Sequence, residues 1–194
     1  MTSDDGTHWK KPEVVSGETN VEKEKGLPVK NAKELFVLLL SDVRQSTERS
    51  ANIYQEISQA AQDPDVREAL ESRAWISEKD LSAIDRCFQL IGEQPVKLSG
   101  RLQEVFLEDF RRELAEIQNP HAKHLFILAK VTHLIHLRIA EYTALVAASD
   151  LTGHYAVGVL LESCLADKLA FVERTRRLIR NFIATKVAAR VAAA

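Results

Sequence analysis

From Asn31 onward, apolar residues recur every three or four positions in four long runs, and at least the first two runs turn polar near their middle. The first run opens at Asn31, with Glu34 at capping-box spacing, and carries Leu35, Leu39, Val43, Ser46, Ser50, Ile53, Ile57 and Ala60 on one face of a helix ending near Ala61. Asp63 and Pro64 supply an N-cap and a first-turn proline for a second helix, which runs to Ile91, and Gly92 suits the left-handed residue that closes it. Its inward stripe reads Val66, Leu70, Arg73, Ser77, Asp80, Ile84, Cys87 and Ile91. So short a connection makes these two helices antiparallel neighbours.

After a loop over 93–98, Ser99 is placed to cap a shorter helix through Ile117, whose apolar side holds Leu102, Val105, Phe106, Phe110, Leu114 and Ile117. Asn119 and Pro120 repeat the cap-plus-proline signal for a helix to about Ser149, facing inward with Leu125, Leu128, Val131, Thr132, Ile135, Ile139, Tyr142 and Val146. Thr152 is expected to cap the last long helix, with a stripe of Leu160, Cys164, Asp167, Phe171, Arg174 and Leu178. The pattern predicts an all-α four-helix bundle over residues 31–186, with an additional short helix between the second and third long ones. Residues 1–30 hold five Lys and six Asp or Glu without apolar periodicity and are expected as a disordered or extended tail; 187–194 are expected to fray.

Composition narrows this picture. Seven Gly and five Pro in 194 residues argue against a turn-rich all-β fold, and the net charge of -2 does not announce a nucleic-acid or membrane partner. No run approaches the roughly 18 apolar residues of a membrane span, and Met1–Lys30 lacks the apolar stretch of a signal peptide. The expected location is the cytoplasm, where Cys87 and Cys164, outside any CxxC spacing, read as small buried hydrophobes.

The polar mid-bundle positions are the candidate chemistry. Ferritin-like di-metal proteins bring carboxylates and Glu-x-x-His pairs together there from four helices. This chain has no Glu-x-x-His; at that depth stand Ser46, Thr47, Glu48 and Ser50, then Arg73, Ser77, Glu78 and Asp80, then Thr132, His136 and Arg138, then Asp167. The stretch AAQDPDVREALESRAWISEKDLSAIDRCFQLIG from Ala60 to Gly92, with Ile139-Ala140-Glu141-Tyr142, resembles the YciE/YciF family of ferritin-like bacterial stress proteins, across about residues 31 to 180. The resemblance implies a ferritin-like fold and an ancestral di-metal centre, from which the chain departs. The family's His-Leu-Glu-Glu-Thr becomes Arg73-Ala74-Trp75-Ile76-Ser77, and its Val-Glu-His-Tyr-Glu-Ile-Ala becomes Leu134-Ile135-His136-Leu137-Arg138-Ile139-Ala140, where of the ligand-type residues only the His survives. The first-helix Glu falls on Thr47, with Glu48 rotated by about 100°. On the fourth helix, Asp-Glu-Glu-Lys becomes Ala166-Asp167-Lys168-Leu169, leaving one shortened acid.

Arg73 and Arg138 can replace a metal's charge by pairing with carboxylates, because a guanidinium offers five donors in a fixed fork. The expected structural layer is Arg73, Arg138, Asp80 and Asp167; the competing arrangement leaves both arginines in solvent. The expected function is a non-enzymatic structural or interaction protein associated with stress, a homodimer without cofactor. One alternative is an iron- or manganese-binding oxidoreductase or storage relative, with Glu48, Glu78, Asp80, His136 and Asp167 as ligands. The pairs His121/His124 and His133/His136 have metal-compatible spacing but no third ligand beside them. A third reading is nucleic-acid association through the locally basic last helix, Arg174, Arg176, Arg177, Arg180, Lys186 and Arg190, against which stands the solvated C-terminal face such cations ordinarily form. Trp75 and Tyr142 read as packing residues, and no nucleophile triad or phosphate loop emerges.

Overall fold

A computed structural model describes residues 29–192; the expected N-terminal tail up to residue 28 lies outside them, as do Ala193 and Ala194. Among the described residues five helices account for the fold: α1 (Ala32–Ala60), α2 (Pro64–Ile91), α3 (Arg101–Glu116), α4 (Pro120–Leu151) and α5 (Tyr155–Ala192). Three start signals are used as expected. The Asn31 side chain accepts from the Glu34 amide at 2.9 Å, Asp63 accepts from the amides of Asp65 and Val66, and Asn119 accepts from those of His121 and Ala122. Each satisfies amides that have no partner inside the helix.

Two caps differ from expectation. α3 starts after Gly100 (φ 63°), without a side-chain cap, and not at Ser99. Thr152 closes α4 and does not open α5: its hydroxyl donates to the Ala148 carbonyl at 2.8 Å, and Gly153 (φ 74°) then turns the chain so that the His154 carbonyl accepts from the Val157 and Gly158 amides in the first turn of α5. α5 also continues past Lys186, where fraying was expected, to Ala192.

α1 and α2 form one antiparallel hairpin and α4 and α5 another, with α2 packed on α5, α1 on α4, and α3 lying over the flank between α1 and α4. The expected order of four long helices and one short crossover is the observed one, and among the described residues there is no strand. None of the described helices is long and apolar enough to cross a membrane.

The strap from α2 to α3 is fixed by α1. The Gln45 side chain donates to the Leu98 carbonyl at 2.8 Å and accepts from the Leu98 amide at 3.1 Å, Ser41 accepts from the Val96 amide, and Arg49 donates to the Gly100 carbonyl at 2.6 Å. Gln45→Ala removes both Leu98 bonds at a half-buried position. A loss of about 2 kcal/mol in urea denaturation is expected, at about 1 kcal/mol per bond; a change of a few tenths would mean that the strap does not depend on the clamp.

The apolar interior is in two parts. One cluster, at the end holding the α1–α2 turn, centres on Ile53, Tyr54, Ile57, Leu70, Phe110, Leu128, Ile135 and Phe171. The other, at the opposite end, centres on Phe36, Leu40, Ile84, Cys87, Tyr142, Leu145 and Leu161. Between them lie buried polar side chains from every helix.

Candidate functional site

The middle of the bundle is built on Asp80 of α2, which is 1% exposed. One of its oxygens, Oδ2, accepts from Arg73 Nη2 and from Lys168 Nζ, each at 2.8 Å. Arg73 lies two turns earlier on the same face of α2, seven residues being close to a whole number of turns. Lys168 reaches in from α5, donates also to the Cys164 carbonyl at 3.1 Å, and sits 3.7 Å from the centroid of the Tyr142 ring, a cation–π contact. The Tyr142 hydroxyl is 3.3 Å from Thr47 Oγ1 on α1.

Arg138 of α4, also buried, holds Glu141 one turn on at 2.7 Å. The Gln103 amide of α3 is assigned the orientation in which its nitrogen donates to the Gly100 carbonyl and its oxygen accepts from Arg138 Nη2 at 3.3 Å, because the opposite one sets its oxygen against acceptors and its nitrogen against donors. The hydroxyls of Ser46, Ser50 and Ser77 turn back onto their own helices, which satisfies them without adding charge.

Burial acts on several ionisable groups here. It pushes Lys168 down to about 8, against the pull of Asp80, and pushes Glu141 up to about 7, against the pull of Arg138. For Arg73, burial disfavours the charge, but Tyr54 and Asp80 outweigh it, and the guanidinium is held above its ordinary range. Burial raises Tyr54 and Tyr142 as well, so both phenols are neutral near pH 7. It pushes the Cys87 thiol to about 11 and Cys164 to about 12, which makes both unreactive near neutrality.

Of the expected structural layer, Arg73, Asp80 and Arg138 are buried at the middle of the bundle. Asp167 is not: it lies at the surface and receives Lys79 at 3.4 Å. Cys164 and Phe171 are seven residues apart, and either Asp167 or Lys168 can fill the interval; packing selects Lys168, one step round. Of the alternative ligands, only Asp80 is inside. Glu48 and Glu78 are exposed, and His136 is exposed with Nδ1 2.8 Å from its own helix's Thr132 carbonyl. This donor set does not suit a hard divalent cation, which needs several free anionic oxygens: Asp80 and Glu141 each face a cationic side chain at 2.8 Å or less. No group of three His, Cys, Asp or Glu with ligand geometry occurs among the described residues.

The other imidazoles stand apart from this layer. His121 and His124 both pack on Phe182, the second stacked at 4.1 Å, and His133 meets Phe106 edge-on. On the basic face of α5, Arg174 is paired with Glu68 and Arg176 with Glu173, while Arg177 and Arg180 are exposed.

Lys168, Glu141 and Gln103 complete the layer and were not singled out by their sequence positions. The signal for Lys168 was its place four residues after Cys164; for Glu141, the i,i+3 spacing to Arg138.

No curated protein matches this sequence. Solved structures that share its fold include three bacterial proteins. The stress protein YciF of E. coli is 17% identical, covers 80% of this chain and 99% of its own, and superposes with a TM-score of 0.76. YcfI of Rhodopseudomonas palustris, for which a structural role has been suggested, is 18% identical over 78% of this chain and 96% of its own, at 0.74. A protein of Xanthomonas campestris pv. campestris is 18% identical over 80% and 99%, at 0.62. The family model described as a domain of unknown function, DUF892, matches residues 31–188. The chain therefore belongs to the DUF892 family and has the ferritin-like helical fold of YciF.

Proposed function

We propose that this chain is a non-enzymatic, stress-associated structural protein of the YciF kind, in which cationic side chains have taken the place of a metal at the centre of the bundle. One observation carries the reading: a single Asp80 oxygen is shared at 2.8 Å by Arg73 and Lys168, and all three side chains are at most 2% exposed. A carboxylate so engaged has given its charge to the protein's own cations.

The family resemblance gives these positions a meaning. Aligned on the motifs quoted above, Arg73 stands at a His, Arg138 at a Glu of the third-helix motif and Lys168 at a Glu of the fourth. Each exchange turns an electron-pair donor for a metal into a positive charge. The paired network holds the two apolar clusters in register without a reactive group: the thiols are neutral and the phenols are protonated. The names of YciF and YcfI support a structural role connected with stress.

Metal analysis tests this reading. Protein purified at neutral pH from cells supplied with iron and manganese is expected to hold substoichiometric amounts of both. Two metals per chain, lost on Asp80→Asn, would overturn it.

A further inference from the structure

The buried layer does not balance its own charge. Arg73, Arg138 and Lys168 are 1–2% exposed. Against these three cations stand Asp80 and Glu141, the second with its side chain 18% exposed and its carboxyl pushed up by burial to about 7. With both acids ionised and Lys168 protonated, one positive charge is left over, and protonation of Glu141 makes it two; of the three cations only Lys168, pushed down to about 8, can relieve this by losing a proton. Neither arginine can shed its proton, since guanidinium groups stay charged in proteins. An uncompensated buried charge is costly, and buried charges that stay ionised are normally paired.

The donors for such a counter-charge are present. Arg73 uses only Nη2, on Asp80, and Arg138 uses only Nη2, on Glu141 and Gln103. Nε and Nη1 of both residues are shut off from solvent and meet no acceptor from the protein. The Tyr54 hydroxyl is likewise buried and unpartnered, the Arg73 guanidinium lies 5.8 Å from the Tyr54 ring, and both arginines are near enough to favour its phenolate. Two acceptors, Asp80 Oδ1 and Glu141 Oε2, also lack partners and would repel an anion placed beside them. The competing arrangement is therefore bridging water alone.

We propose that the buried, unpartnered Nε and Nη1 groups of Arg73 and Arg138, with the Tyr54 hydroxyl, are the donors for a small monovalent anion of the halide class. This deepens the cation-for-metal reading and rests on it. Chloride suits the donor set: it is monovalent, needs only N–H and O–H donors, and cannot take a proton from them. A centre that bound metal cations by resemblance would here bind an anion.

Two measurements on the full chain test this. Thermal unfolding is followed at constant ionic strength while sodium gluconate is exchanged for sodium chloride or bromide, for the wild type and for Arg138→Met. The wild type should gain roughly 5 °C, saturating with halide as a bound ligand does, and the variant should lose that gain while keeping the general salt response. If the variant does not fold, crystals of the wild type grown in bromide decide, with an anomalous peak expected between Arg73 and Arg138. Equal salt responses in the two proteins, or a bromide map with no such peak and water alone at the guanidinium groups, overturn the anion site. That failure is distinct from failure of the parent reading, which would appear as stoichiometric iron or manganese.

Discussion

Asp80→Asn is expected to destabilise the protein by about 3–5 kcal/mol, the cost of breaking a buried ion pair from one side. The carboxylate serves two cations through one oxygen, so its loss leaves both Arg73 and Lys168 buried without a counter-charge. Arg73→Met and Lys168→Met should each cost less than Asp80→Asn, because each removes a charge from a layer already rich in positive ones. Asp167→Asn, in a surface pair with Lys79, should change stability by a few tenths of a kcal/mol. Urea denaturation of the four variants reads this order. Losses of a few tenths in all four would remove the ion-pair layer as a source of stability.

The second large effect is one of pH. The folded state keeps the Glu141 proton up to about pH 7, whereas the unfolded chain releases it near the ordinary 4.5. Between those values the folded state binds more protons, so the Glu141 contribution to stability falls as pH rises; below 4.5 it is constant, and above about 7 the full penalty is present. The penalty amounts to about 3 kcal/mol. Lys168 acts in the opposite sense: its folded state gives up a proton near 8 that the unfolded chain holds to 10.5, so stability recovers as pH climbs through that window. These two groups alone place the least favourable pH between about 7 and about 8. The clean test is the stability of the wild type minus that of Glu141→Gln. It should fall by about 3 kcal/mol between pH 4.5 and pH 8, and a difference independent of pH would mean that Glu141 titrates normally.

The helices were legible because their ends are written in local chemistry. Asn31, Asp63 and Asn119 cap as side chains of their type do, and two of them are followed by proline. The α2 stripe was correct through Arg73, Ser77 and Asp80, since its apolar flanks fix the phase from both sides. Phase was harder where neighbouring positions are alike. In α1, Phe36 and Leu40 are buried where Leu35 and Leu39 were expected, and Leu35 is exposed: a run of apolar residues does not say which of its faces is covered. In α5, Cys164, Phe171 and Leu178 are spaced by seven, and every interval offers two fillers. Acid and arginine were read inward at Asp167 and Arg174, but Lys168 and Thr175 are the buried ones. Lysine is the least expected of these inside a protein, and its place is settled by Asp80 on another helix, which no single stretch of α5 can reveal. Likewise Gln103 depends on Arg138, and the α5 start depends on Gly153 turning the chain after Thr152.

If Arg73, Asp80 and Lys168 form a self-sufficient structural network, then removing all their charges together should do far less harm than removing one. The triple variant Arg73→Met, Asp80→Val, Lys168→Met fills the same space with apolar side chains and leaves none of the three groups unpaired. Its unfolding free energy in urea should lie within about 1 kcal/mol of the wild type, or above it, as when other buried ion networks are exchanged for apolar side chains. A triple variant as unstable as Asp80→Asn alone would contradict this, because Asp80 would then be needed for something other than holding Arg73 and Lys168.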